Sequence, residues 1–148
     1  MANWIANIAK GRFAYYSTLP AANDGLVVVV LEAAGLEADA TLKDYDTLAA
    51  LLAGTSNEQT TMGRKAATGV TVTVDDTLNL VDVDQNDILW AAATGNATGA
   101  LLVCYDPDTT GGTDADIIPL SKHDFTVTPD GSDVTAAFGA SFARAIEL

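Results

Sequence analysis

The sequence predicts a mainly β protein, an antiparallel β-sandwich or barrel-like domain with one or two short helices in its N-terminal third. Three observations support this fold class. Leu26 to Leu31 is an unbroken, valine-rich run, residues 35–54 have helical spacing, and the rest of the chain alternates in short runs separated by turn residues. Strands recurring at intervals of roughly 8 to 12 residues are typical of sandwiches and barrels.

The first twenty residues differ from the rest of the 148-residue chain. We expect residues 1–20 to form an N-terminal arm and residues 21–148 to form one β-rich domain. The arm is predicted to be a short helix followed by an extended segment, and it packs either on its own domain or on a neighbouring subunit. Its aromatic, aliphatic and basic side chains are the predicted protein interface: Trp4, Ile5, Ile8, Arg12, Phe13, Tyr15 and Tyr16.

A turn at residues 21–25 leads into the run Leu26 to Leu31, whose composition suits a strand buried on both faces. Within residues 35–54 a short helix is predicted, with Asp46 as its N-cap and Gly54 after its end. Its apolar stripe consists of Leu48, Ala49, Leu51 and Leu52.

Seven further strands are predicted after residue 61, where apolar and polar residues alternate between turns. Pro119 lies inside one of these runs and predicts either an edge strand or a bulge there, because proline cannot donate to a strand ladder. The predicted strands are Val70–Val74, Leu78–Val83, Asp87–Ala91, Leu101–Tyr105, Asp116–Leu120, Phe125–Thr128 and Val134–Thr135.

The charge balance argues against several classes of partner. Twenty Asp and Glu against seven Lys and Arg give a formal net charge of −13. Nucleic acids and anionic membrane surfaces both attract clustered Lys and Arg, so neither is expected as a direct partner. Such acidity instead favours docking on a basic protein surface.

Catalytic constellations are weak in this sequence, and we expect a non-enzymatic protein. His123 is the one histidine, and the sequence contains no Gly-x-Ser-x-Gly elbow that would bring a serine to it. We interpret His123 as a turn residue in a polar loop before a strand. Cys104, the one cysteine, lies in an apolar run and is expected to be buried and inert. Trp90 is expected in the core.

An acidic segment offers the one candidate for a cofactor, a calcium ion. Asp106, Asp108 and Asp114 fall at positions one, three and nine of a calcium loop, with Gly111 at position six. The pattern departs at position twelve, where Ile117 replaces the bidentate glutamate. Solvated turns between strands are the alternative interpretation, and we expect no cofactor.

Several segments, read together, resemble small virion proteins encoded in the structural gene blocks of tailed phages, particularly phages of actinobacteria. The resemblance rests on the residue pattern of Leu36–Leu48, Asn57–Glu58, Gly63–Arg64, Val70–Asp76, Leu102–Asp106 and Pro119–Phe125. It implies a capsid decoration or minor capsid protein, made in the host cytoplasm and located on the capsid exterior. Its partners would be major capsid or other virion subunits, and a homo-oligomer, favoured as a trimer, is implied.

Two alternatives stay open at this point. One is a tail-tip or fibre-associated protein of the same particle. The other is a carbohydrate-binding β-sandwich for host attachment, which would present exposed aromatic side chains in its loops.

Overall fold

The computed structural model describes residues 2–139 and 143–146, and it confirms a mainly β chain whose strand pairs are all antiparallel. The finer choice between a sandwich and a barrel stays a prediction. The strands are β1 (Trp4–Ile5), β2 (Gly25–Glu32), β3 (Lys65–Ala66), β4 (Thr71–Asp75), β5 (Leu80–Asp84), β6 (Ile88–Trp90), β7 (Thr98–Asp106), β8 (Ile118–Asp124), β9 (Val134–Ala136) and β10 (Ala143–Ile146). The helices are α1 (Phe13–Ser17), α2 (Asp39–Leu42) and α3 (Leu48–Leu52), with a 3₁₀ turn at Asn7–Ala9.

The largest sheet has the strand order β1-β8-β7-β2-β3. Its centre is the long pair β2 and β7, which runs in register from Gly25 opposite Asp106 to Leu31 opposite Ala100. Both strands are almost entirely buried, as the continuous apolar runs predicted. The main hydrophobic core therefore lies on both faces of this pair.

Two smaller sheets complete the architecture. One has the order β10-β5-β4, and its β4–β5 hairpin closes through residues 76–79 with Asn79 in the left-handed region at φ 51°. Asparagine tolerates that conformation better than most residues do. The other small sheet pairs β6 with β9.

The predicted helix forms, but its cap was misassigned. The side chain of Thr47, and not that of Asp46, accepts the backbone N–H of Ala50 at 3.2 Å and begins α3. Gly54 follows the helix end, as predicted, and the structure contains two further short helices, α1 and α2.

The strand predictions fail in one region, because β8 continues to Asp124. Phe125 to Thr128, predicted as a strand, is extended chain outside any ladder. Pro119 lies opposite a register shift at Val103 and Cys104, so the bulge, and not the edge strand, is the correct alternative. Within the described residues, no helix is long and apolar enough to span a membrane.

Candidate interaction surface

The N-terminal segment packs on its own domain, which decides between the two placements left open by the sequence. Trp4 and Ile5 form β1 and pair with Lys122 and Ser121 of β8, at the edge of the large sheet. Trp4 and Phe13 are buried in the common core. In this structure the N-terminal segment therefore contributes a strand and two core side chains to the domain on which it packs.

A buried lysine holds this segment in place. Lys122 is 0 % exposed, and its ammonium group lies 3.2 Å from the Asp39 carboxylate, donates to the Ala2 carbonyl and forms a short ion pair with Asp124. Asp39 also accepts from the Ala2 N–H at 2.9 Å and from the Trp4 indole at 3.0 Å. This Lys122 cluster joins the chain start, α2 and β8.

The pKa of Asp39 reflects two opposing effects. Burial would raise the pKa, but the hydrogen bonds from Ala2 and Trp4 and the charge of Lys122 hold it below its usual value. Asp39 is therefore a carboxylate at neutral pH, as a buried lysine requires of its partner.

The predicted interface residues divide by exposure into two groups. Trp4 and Phe13 are buried, and Ile5, Ile8 and Tyr16 are partly buried against the core. Arg12 is exposed, and Tyr15 is 57 % exposed. The exposed pair presents the most side-chain surface to a partner without unpacking the domain.

Side-chain packing beneath helix α1 positions Tyr15, one of the two exposed residues. Tyr16 packs on Tyr105, with ring centroids 4.9 Å apart, and the Tyr105 hydroxyl donates to Asp24 at 2.7 Å. Tyr15 meets Tyr16 edge to face and turns its other side to solvent. Lys10 is also exposed, so Lys10, Arg12 and Tyr15 make up one basic aromatic turn.

His123 lies within β8 and not in a loop, which corrects the sequence interpretation. Its Nε2 is 3.0 Å from the Ser121 hydroxyl, because residues two apart on a strand share a face. Burial and the neighbouring Lys122 lower the pKa of His123 to about 4, so the ring is neutral at pH 7. Ser121 is only 2 % exposed, so a substrate could not reach this serine.

A pocket of about 410 Å³ opens beside His123. Its lining includes Leu101, Phe125 and Phe138, and the His123 ring meets Phe138 edge to face at 6.0 Å. The pocket opens to solvent on one side, and its lining combines one neutral histidine with apolar rings, the Asp124 carboxylate and the Thr135 hydroxyl. Asp124 and Thr135 are both exposed, but neither is hydrogen-bonded to the histidine in the way that a serine nucleophile would be.

The aspartates of the candidate calcium loop are hydrogen-bonded to other groups of the protein. Arg64 donates two hydrogen bonds to the Asp114 carboxylate, at 2.6 and 2.9 Å, and two to the Glu58 carboxylate, at 2.8 and 2.7 Å. This guanidinium lowers the pKa of Asp114. An arginine paired in this way places a positive charge where a cation would have to bind.

The other two aspartates of this segment stabilise its turns. Asp108 accepts the N–H and hydroxyl of Thr110, which lower its pKa, and Asp106 accepts the N–H of Asp108. Within residues 2–139 and 143–146, no group of three or more His, Cys, Asp or Glu side chains is placed to hold a metal ion.

The two expected core residues are where the sequence placed them. Cys104 is fully buried, and burial raises the pKa of its thiol. Trp90 is 2 % exposed and donates its indole N–H to the Gly63 carbonyl at 3.1 Å.

Lys122 and Arg64 were missed by sequence reasoning. Each pairs with one carboxylate nearby in sequence and one that is distant, Asp39 for Lys122 and Asp114 for Arg64, and no local pattern signals the distant pairing. The one local signal was the nearby carboxylate, Asp124 for Lys122 and Glu58 for Arg64.

Comparison with known proteins gives this chain no relatives: no family model, no curated protein and no solved structure matches it.

Proposed function

We propose that this chain is a non-enzymatic structural protein of a tailed-phage particle, a head decoration protein that binds major capsid subunits on the capsid exterior. The particle class rests on the resemblance of Leu36–Leu48 and the other segments quoted above. One observation supports the binding role: a rigid, exposed, basic aromatic turn at Lys10–Tyr15 on an otherwise acidic molecule.

The chemistry of this turn suits a protein interface. Tyrosine and arginine are enriched among the residues that dominate binding energy: tyrosine buries a large area at modest entropic cost, and arginine offers a planar fork of five donors. Residues 1–20 contain Lys10 and Arg12 and no carboxylate, whereas the whole chain carries a formal charge of −13. The turn should therefore bind an acidic patch on its partner. The negative charge of the rest of the molecule would orient the turn towards that patch as the two proteins meet.

A non-enzymatic role agrees with the His123 region. The Ser121 hydroxyl has the hydrogen bond to histidine that a nucleophile needs, but it is buried. A buried serine and histidine on one strand ordinarily satisfy each other's hydrogen-bonding groups and do no chemistry.

The oligomeric state implied by the resemblance is a trimer at capsid threefold or quasi-threefold positions. Sedimentation of the isolated protein and of protein released from particles would test whether trimers exist before assembly or form only on the shell.

A tail location and a carbohydrate-binding role remain the competing proposals. The carbohydrate proposal requires exposed aromatic side chains in loops. Among the described residues Trp4 and Trp90 are buried, and Tyr15 is the one aromatic among the large exposed hydrophobic side chains. This distribution favours the structural role.

The deciding experiment is cryo-EM of particles of the phage that encodes this chain. Density at threefold or quasi-threefold capsid positions, with Lys10–Tyr15 against the shell, is the expected result. Density confined to the tail would replace the decoration role by tail assembly or host attachment, and absence from the particle would refute a virion role altogether.

Variants test the contact itself. Arg12→Glu with Tyr15→Ser changes two exposed residues and should abolish binding to undecorated shells. Lys65→Glu with Leu89→Ser is the matched control, because it makes the same change in charge and removes a similarly exposed apolar side chain elsewhere. Equal loss of binding in both variants would contradict the proposed contact.

A further inference from the structure

The outer edge of β4 has no strand partner among the described residues. Strand β4 pairs with β5 on one side only, as the last strand of the sheet β10-β5-β4. Among the described residues, its backbone groups make no hydrogen bond to any element other than β5. A row of backbone donors and acceptors therefore faces outward.

Several of the usual protections of a sheet edge are missing here. Thr71 to Asp75 reads Thr-Val-Thr-Val-Asp, with no lysine and no proline, and its register with β5 is uninterrupted by any bulge. The edges of the large sheet, β1 and β3, are two residues each and so offer little to pair with. Among the described edge strands of the two larger sheets, β4 is the longest.

Exposed apolar side chains accompany this edge. Val74 is 65 % exposed, and Leu78, in the hairpin loop, is 60 % exposed. Val72 and Val74 share one face of β4, where Val72 packs against the core. A strand added beside β4 would cover Val74 and extend that apolar face.

The charges around β4 determine which kind of strand could bind at its edge. Thr71, Thr73 and Asp75 share the opposite face, and Asp84 lies across from Thr71 in the β4–β5 register. Asp76 is exposed at the start of the loop, and the sequence has no lysine or arginine from residue 66 to residue 121. The basic residue of this sheet, Arg144, lies on β10 at the far edge. A second copy of this acidic chain is therefore a poor occupant.

We propose that β4 binds an extended segment of a different protein by β-augmentation, and that this segment alternates lysine or arginine with β-branched residues. The basic side chains would lie on the face of Thr73 and Asp75, and the apolar ones on the face of Val72 and Val74. Helix α1 contacts β4 and β5, so this edge adjoins the basic aromatic turn. This inference rests on the proposed function, which identifies the partner as a virion subunit.

The test uses the whole protein and a synthetic peptide, acetyl-Lys-Val-Lys-Val-Lys-Val-Lys-amide, with peptide binding followed by fluorescence anisotropy and protein amides by NMR. We expect binding that protects the β4 amides from hydrogen exchange. The Glu-for-Lys peptide should not bind. A peptide with N-methylated valines keeps every charge but cannot complete a ladder, so it should bind at least about tenfold more weakly.

Protein variants localise the site. Val74→Lys places a charge on the edge, as natural edge strands do, and should weaken peptide binding by about tenfold or more. Leu89→Lys adds the same charge at a side chain that is 52 % exposed on β6, and it should change affinity by less than about twofold.

Equal weakening of peptide binding by both lysine variants would overturn the inference, and so would tight binding of the N-methylated peptide. Self-association of the protein that Val74→Lys abolishes would also overturn it, because the strand bound at β4 would then belong to a second copy of this chain. Failure of peptide binding while the protein decorates capsids would refute this inference alone. Peptide binding by a protein absent from particles would refute the proposed function alone.

Discussion

The Lys122 cluster predicts an unequal response to losing either partner of its ion pair. Lys122 has no contact with solvent, whereas the side chains of Asp39 and Asp124 are 22 % and 43 % exposed. Removing Asp39 takes one of two carboxylates from a buried ammonium, which keeps Asp124 and the Ala2 carbonyl, whereas removing the ammonium leaves carboxylates that water can reach. The Asp39 variant should therefore be the more destabilised, because a buried charge that is less well compensated is the costly species.

The magnitude follows from the bonds lost. Asp39→Ala removes one of the acceptors of Lys122, at 3.2 Å, and the acceptor of the Trp4 indole, at 3.0 Å, and each bond to a charged acceptor is worth about 1.5 kcal/mol. The Ala2 N–H is exposed and regains water. The free energy of unfolding should fall by about 3 kcal/mol, which lowers Tm by roughly 6 to 12 °C.

Lys122→Met should cost only about 1 kcal/mol, since Asp39 keeps its donors from Ala2 and Trp4 and methionine fills a similar volume. The double variant should be more stable than Asp39→Ala alone, because it no longer buries a charge. Urea unfolding followed by circular dichroism and tryptophan fluorescence measures all three. Asp76→Ala, at an exposed loop residue, is the control and should change stability by less than about 0.5 kcal/mol.

The reasoning is refuted if Lys122→Met destabilises as much as Asp39→Ala, or if the double variant is the least stable of the three. Either result would mean that the ammonium contributes net stability and is not merely tolerated.

Four further predictions concern other sites. Arg64→Lys should lower stability by about 2 kcal/mol in thermal unfolding, because an ammonium cannot form both guanidinium forks to Glu58 and Asp114. The pKa of His123 is about 4 in the folded protein and near 6.5 in the unfolded chain, so the contribution of neutral His123 to the free energy of unfolding is complete above pH 6.5 and is lost as pH falls towards 4. In urea titrations, wild type should lose about 1 to 2 kcal/mol more than His123→Gln between pH 7 and pH 5. Gln85→Met should raise Tm, with a gain of about 1 kcal/mol, since both buried amide atoms of Gln85 lack a hydrogen-bond partner among the described residues. Exchange of calcium for a chelator should leave Tm unchanged, and a rise of several degrees with calcium would show that residues 106–116 bind the ion despite Arg64.

The sequence predicted the fold where a local pattern carried the information. Strand β2 is an unbroken valine-rich run, and β4 alternates strictly, so both were placed to within a residue or two. The helix at Leu48–Leu52 was found from its apolar stripe, although two candidates for the cap, Asp46 and Thr47, stand side by side, and only the backbone geometry selects Thr47.

The failure at β8 has its physical origin in a charge buried inside a strand. Lys122 and His123 made residues 121–124 look like a polar loop, so one strand was predicted to end at Leu120 and a separate strand was predicted at Phe125–Thr128. The burial of Lys122 depends on Asp39, a residue far away in sequence. For the same reason the packing of the first twenty residues could not be decided from the sequence, because their partners on β8 are more than one hundred residues distant.

This separation has a consequence for synthesis. Ala2 contacts Lys122 across 120 residues, and ribosomes add about 5 to 20 residues per second, so the strand that receives β1 emerges roughly 6 to 24 s after β1 itself. During that interval Trp4 and Phe13 have no completed core to enter. This aromatic segment thus spends several seconds uncovered on the ribosome, and its packing waits for the synthesis of β8.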